Sequence, residues 1–231
     1  MTAWKLFYKQ FITYNGYKSV LNGLLATVEI AIFGLIIGIV IGTLIAVVKV
    51  MPKHKRLPRV LEKICDVYVA FFRGTPMVVQ LLIGYFVLIP ALGIVAEGIA
   101  VAITIFGLNS GAYVSEIMRS GIQSVDAGQL EAGRAVGLPY RTAMLKIVIP
   151  QSIKNILPTL GNEFIVLVKE TSIVSFIAVT DVTKAFRSIA DANYEYIIPY
   201  LMLALVYLVI VLLITLGIKM MERRLKRSDR R

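Results

Sequence analysis

The chain has 231 residues, 58% hydrophobic and only 17% charged, with a mean hydropathy of +0.78. Soluble domains average about 45–50% apolar and about 25% charged, so this composition excludes a soluble enzyme, a disordered tail and a disulfide scaffold, and points to one helical membrane domain over 1–231. The net charge of +11 invites a nucleic-acid reading, but 18 of the 25 lysines and arginines cluster beside apolar runs, which marks the cytoplasmic side of a membrane and no nucleic-acid partner.

In chain order, residues 1–20 interleave Trp4, Phe7, Tyr8, Phe11 and Tyr17 with Lys5, Lys9 and Lys18. Two readings stay open: an amphipathic segment lying on the outer interface, or a poorly ordered terminus. Ile30 to Val48 is an uncharged run of 19 residues, long enough to cross about 30 Å of hydrocarbon. Its stronger positive flank follows it, unlike that of a signal peptide. That flank, Lys49 to Lys63, contains the single histidine, His54, and the single cysteine, Cys65, follows. Neither an internal disulfide, nor a cysteine-built metal site, nor paired-histidine ligation is expected.

Leu57 to Phe72 alternates Val60, Ile64, Val67, Tyr68 and Phe71 with Arg59, Glu62, Lys63 and Asp66, as an amphipathic helix at the inner interface does. Arg73-Gly74-Thr75-Pro76 should break it, with Thr75 as N-cap and Pro76 at the first position of a new helix. Further apolar runs cover 74–96, 98–115, 152–170 (interrupted by Glu163) and 196–218, the last followed by the basic tail 219–231. The expectation is an all-α integral membrane protein with about five transmembrane helices. The basic loops and tail then lie inside, and the N-terminus lies outside with only Lys5, Lys9, Lys18, Lys184 and Arg187.

Between the third and fourth runs lies a loop of some thirty residues. Gln129 to Val136 can form two helical turns, Gly137 can end them in a left-handed cap, and Pro139 prevents resumption. Such a short rod, 129–138, has no place in a passive scaffold, although an ordinary interhelical loop is the plainer reading. Here the chain resembles the permeases of bacterial ABC importers. Glu131-Ala132-x-x-x-x-Gly137 followed by Ile147-x-Ile149-Pro150 is similar to their EAA loop. Arg73-Gly74-Thr75-Pro76-x-x-x-Gln80, Asn109-Ser110-Gly111-Ala112-Tyr113-x-x-Glu116 and Gly161-Asn162-x-Phe164-Ile165-x-x-x-Lys169-x-Thr171-Ser172 are similar to the polar amino acid branch. Gly133 stands where the second alanine is usual, and Ile149 where leucine is.

The resemblance implies a coupling helix (Glu131, Ala132, Gly133, Arg134, Gly137) that docks on an ABC ATPase subunit dimer carrying ATP and Mg. It also implies an extracytoplasmic solute-binding protein, a second permease subunit (homodimer, or heterodimer with a sister chain) and a bacterial inner-membrane location. The chain has no G-x-x-x-x-G-K-[ST] loop, so it is not expected to be an enzyme or to hold a cofactor of its own. Arg134, Arg141 and Lys146 either steer the ATPase contact or simply follow the positive-inside rule.

An ionisable group in hydrocarbon costs roughly 2.5–3.5 kcal/mol, so each needs a reason. Glu163, with Asn162 beside it, reads as a carboxylate lining a substrate cavity, or as a structural partner of Arg73. Arg73 and the helix start at Thr75 form an anion site suited to an α-carboxylate, or else a plain kink with Arg73 at lipid phosphates. Glu116 joins Glu163 at an amino group or is consumed by Arg119 or Arg73. Tyr113, on the face of Glu116 and Asn109, is placed along the path, and Thr171 with Ser172 at an outer gate. Together these suit a basic amino acid such as arginine, lysine or histidine. Glutamine or another polar amino acid is the alternative. A cation channel or secondary transporter is the rival from another class, and an integral-membrane enzyme lacks a nucleophile–histidine or metal constellation.

Overall fold

A computed structural model describes residues 2–51 and 56–228. His54, with Lys53 and Lys55 of the first basic cluster, and 229–231 of the tail lie outside the described residues. The described residues are mostly helical: α1 (Ala3–Tyr8), a π-helical turn (Lys9–Thr13), α2 (Gly16–Val50), α3 (Arg56–Gly74) and α4 (Met77–Ile83). A second π turn (Gly84–Leu88) leads into α5 (Ile89–Ala91), then α6 (Gly98–Gln123), α7 (Ala127–Ala135) and α8 (Tyr140–Ala143). A third π turn (Met144–Val148) opens into α9 (Ile149–Glu170), followed by a 3-10 segment (Thr171–Ile177), α10 (Val182–Asp191) and α11 (Ile197–Ser228).

Three of these helices, α2, α6 and α11, are long and apolar enough to cross a membrane. The pair α3 and Met77–Ala91, bent by 105°, makes a fourth if it counts as one span. The expected crossing at 152–170 forms α9, which falls short on apolarity because it carries Lys154, Glu163, Lys169 and Glu170. Packing against α6, α11 and α2 supplies the cover that its composition lacks.

The central contact is α2 on α6. Gly34, Gly38 and Gly42 recur every four residues on α2, and Gly107 and Gly111 do so on α6, so each glycine backbone receives a side chain of the facing helix at close range. A Cβ at Gly107 would lie 2.5 Å from Ile37 Cγ2, and one at Gly42 would lie 2.6 Å from Val114 Cγ1. This spacing was not singled out in the sequence. Around it Ile30, Leu81, Phe106, Leu167 and Val174 form the main apolar cluster.

Two of the π turns run into prolines. Pro90 and Pro150 each sit in the first turn of the α segment that follows. Proline donates no N–H and its ring crowds the carbonyl four residues back, so the helix widens by one residue just before it.

At the end of the layer opposite the basic clusters, the aromatic N-terminal segment is docked rather than loose. Phe7 is buried, stacked on Phe11 at 5.2 Å, and Phe11 stacks on Phe186 of α10 at 6.4 Å. Asp181 caps α10, accepting from the Thr183 and Lys184 amides at 3.0 and 2.9 Å. Its complete burial pushes its pKa above the usual carboxylate value, against the opposing effect of those amides.

Gly107→Val should force α2 and α6 apart, because the β-branched Ile37 cannot swing away. An overpacking cost of about 1–3 kcal/mol is expected, read as a lower thermal unfolding midpoint in detergent. Asp181→Ala should cost about 0.5–2 kcal/mol in the same assay, whereas Asp181→Asn, which still caps and carries no buried charge, should stay close to wild type.

Candidate functional site

The break between α3 and α4 is held by two amide side chains. Gln80 Nε2 donates to the Phe72 carbonyl at 2.8 Å, to the Thr75 carbonyl at 3.0 Å and to Thr75 Oγ1 at 2.8 Å. Asn109 Nδ2, from α6, donates to Gln80 Oε1 at 2.8 Å and to the Phe72 carbonyl at 3.3 Å. The last carbonyls of α3 thus find donors where the helical ladder stops. Tyr68 donates to the Leu108 carbonyl and ties the same helix to α6.

One expectation is corrected here. Thr75 is not the N-cap: Pro76 takes that position and Met77 begins the helix. The Thr75 hydroxyl instead donates back to the Phe71 carbonyl at 2.8 Å. The reason is competition, since α3 ends with unmet acceptors and a threonine hydroxyl four residues on reaches them. Arg73 is exposed beside the break, its guanidinium 5.4 Å from the centroid of Tyr113. Cation–π attraction holds it there without neutralising it.

Glu163 is buried, 9% exposed, and accepts from Ser110 Oγ at 2.9 Å. A Cβ at Gly38 would lie 2.7 Å from that hydroxyl oxygen, so the pair sits where α2, α6 and α9 meet. Among the described residues no cation pairs with Glu163, and Arg73 is engaged by Tyr113 instead. Asn162, its neighbour, is exposed.

Glu116 is spent elsewhere. Lys49 Nζ lies 2.9 Å from Glu116 Oε1 and 3.1 Å from Asp66 Oδ1, and Arg119 Nη2 lies 2.7 Å from Glu116 Oε2. The network ties α2, α3 and α6 together, and of the alternatives open in the sequence it selects the ion pair with Arg119, adding Lys49. Thr171 is fully buried and its hydroxyl donates to the Val168 carbonyl at 2.8 Å, so it presents nothing to a ligand in this arrangement; Ser172 is half-buried. Lys49, Asp66, Ser110 and the Gln80–Asn109 clasp were not predicted in these roles. Gln80, Asn109 and Ser110 do stand inside the motif blocks, which is the signal that pointed to them.

The rod between α6 and α8 is α7. Asp126 caps it, accepting from the Gly128 amide at 2.6 Å, so it begins two residues earlier than expected. It ends as expected: Gly137 has φ of 88°, its amide donates to the Arg134 carbonyl at 3.0 Å, and the Leu138 amide donates to the Gly133 carbonyl at 3.1 Å. Arg134 Nη1 adds a bond to the Leu138 carbonyl at 3.1 Å. Glu131, Ala132, Arg134 and Val136 are exposed, whereas Gly133 is the buried residue of the helix. A Cβ there would lie 2.7 Å from Ile147 Cδ1 and 3.4 Å from Ala143 Cβ. The glycine therefore marks where α7 rests on the segment that follows it.

Residues 34–227 match the family described as the inner membrane component of binding-protein-dependent transport systems. The chain belongs to that family. It is 40% identical over 210 residues to an arginine transport system permease of Bacillus subtilis, covering 91% of this chain and 94% of the relative. It is 38% identical over 206 residues to a putative glutamine transport system permease of Rickettsia bellii, covering 89% and 92%. In structure it is similar to a chain of an amino acid ABC transporter solved with histidines, with a TM-score of 0.85, 36% identity and 94% and 98% coverage. The permease thus shares both its length and its helical framework with these proteins.

Gly133→Ala crowds the flexible tip of Ile147 and makes ordinary contact with Ala143, so it should leave the seat of α7 intact. Gly133→Leu should lift the helix, and co-purification of the permease with its ATPase should fall about tenfold or more while the protein still folds.

Proposed function

We propose that this chain is the membrane-spanning subunit of an ATP-driven amino acid importer, and that its cargo is a basic amino acid such as arginine, lysine or histidine. The observation that carries this reading is Glu163, a buried carboxylate held by a neutral hydroxyl with no cation paired to it among the described residues. A charge so placed in a membrane protein is costly unless it meets a cation during the working cycle. A substrate guanidinium or ammonium is such a cation, and Ser110 leaves the carboxylate able to accept it. The relatives named for arginine and glutamine, and the structure solved with histidines, support the amino acid class.

Arg73 supplies the complementary charge. It stands at a helix break, stacked on Tyr113 and exposed, where an α-carboxylate could replace the aromatic face as its partner. Asn162 extends the polar surface beside Glu163. On α9 the exposed positions Asn155, Thr159 and Asn162 recur at three- or four-residue spacing, with exposed Lys169 seven residues further on, a polar stripe ill-suited to lipid tails. We take this stripe to face a water-filled path completed by a second permease subunit, most simply another copy of the same chain.

In this account α7 is the coupling helix. Its exposed Glu131, Ala132, Arg134 and Val136 dock on an ATPase subunit dimer that binds ATP and Mg, and a solute-binding protein delivers cargo at the far side. The basic end faces the cytoplasm, which puts the C-terminus inside and the N-terminus, with α1 and α10, outside. Glutamine is the second reading, favoured by the glutamine-named relatives.

The test is uptake by proteoliposomes holding the permease, its ATPase and its binding protein. Uptake should require ATP inside; uptake driven by an ion gradient alone would favour a secondary transporter. Glu163→Gln should lower uptake of arginine or lysine by about tenfold or more, and that of glutamine much less, because a charge-assisted contact is lost only with the cationic cargo. Equal losses would remove the case for basic substrates.

A further inference from the structure

A groove of about 440 Å³ opens at the basic end, between the last turns of α2 and the start of the segment that follows the coupling helix. Val47, Val50 and Met51 form one wall, and Met144 and Leu145 form the other, with exposed Arg141 also lining the groove. The volume falls within the roughly 300–1,000 Å³ of clefts that hold small molecules. Val47, Met51 and Leu145 are 49%, 43% and 63% exposed, so the walls are apolar and open to the surroundings. Among the described residues no carboxylate pairs with Arg141, whereas nearby Lys49 is occupied by Asp66 and Glu116.

We propose that this groove binds one anionic phospholipid, with an acyl chain along the apolar walls and the phosphate on Arg141. Charge and polarity select the occupant. The long apolar run of α2 ends at Val50, so the groove lies where hydrocarbon gives way to headgroups. An apolar trough lined by a guanidinium that no carboxylate neutralises among the described residues matches an amphiphile with an anionic head. A free phosphate would gain the guanidinium contact and leave the trough empty. The arginine stem is long enough to carry its charge to headgroup level while its methylenes cover the wall.

The site also touches the coupling machinery. Arg141, Met144 and Leu145 line the groove, while Ala143 and Ile147 of the same short stretch carry Gly133 of α7. A lipid that fills the groove therefore braces the seat of the coupling helix.

The experiment is native mass spectrometry of the purified full-length chain in detergent, titrated with phosphatidylglycerol or phosphatidylcholine of matched acyl chains. Glycerol phosphate serves as the soluble competitor. One phosphatidylglycerol should be retained about fivefold more strongly than phosphatidylcholine, the effect of one arginine near an anionic headgroup. Glycerol phosphate should not displace it. Arg141→Gln should abolish the preference while leaving weak binding of both lipids, and Met144→Trp, which fills the trough, should lose both. In a Trp4→Phe background, Leu145→Trp gives a single indole whose fluorescence brominated phosphatidylglycerol should quench. Equal binding of the two lipids, a preference that survives Arg141→Gln, displacement by glycerol phosphate, or an indole that is not quenched would each overturn the proposal.

Discussion

Glycines spaced four apart let α2 and α6 approach until backbone meets side chain with no layer between. Lipid tails are as apolar as leucine, so burying apolar surface gives little drive for two helices to pair in a membrane, and close packing must do the work. That contact fixes the rotation of α6. With Gly38 against Ser110, the Ser110 hydroxyl is aimed at α9 and receives Glu163. The neighbouring face of α6 then presents Asn109, Tyr113 and Glu116 toward α3. Both halves of the candidate site, and the ion network below it, hang on one helix whose orientation glycine sets.

Charges are divided between two kinds of surroundings. At the basic end, Lys49, Asp66, Glu116 and Arg119 satisfy one another and bind three helices together. Nearer the helix break, Arg73 and Glu163 meet, among the described residues, a ring and a hydroxyl rather than an opposite charge. The first group has its counter-ions built in. The second is held in place by partners that leave the charge uncancelled, which is the condition for a ligand to matter energetically.

The connection from α7 to the membrane helices is short. α7 is capped at both ends by its own sequence and rests through Gly133 on the stretch that becomes α9. The π turn before Pro150 lies within that stretch, between the exposed rod and the helix that bears Glu163. α7 thus meets the stretch that leads into α9 through packed side chains rather than through a free loop.

Much of this was legible along the chain because it depends on local chemistry. The apolar runs, the break at 73–76, the left-handed end of the rod at Gly137 and the family blocks are written in consecutive residues; the break and the Gly137 turn stand where they were expected, and three of the runs lie in helices long and apolar enough to cross a membrane. Which polar side chains find each other was not. Thr75 turned back to α3, Glu116 was claimed by Lys49 from 67 residues away, and Thr171 was consumed by its own backbone. The sequence by itself determined a helical membrane protein with a short capped rod, since hydropathy and capping act over a few residues, and its motif blocks carried the family resemblance. Only the tertiary structure decided which of its charges are already answered and which stand open, because that depends on how helices are rotated against one another, and rotation is set by contacts between residues far apart in the chain.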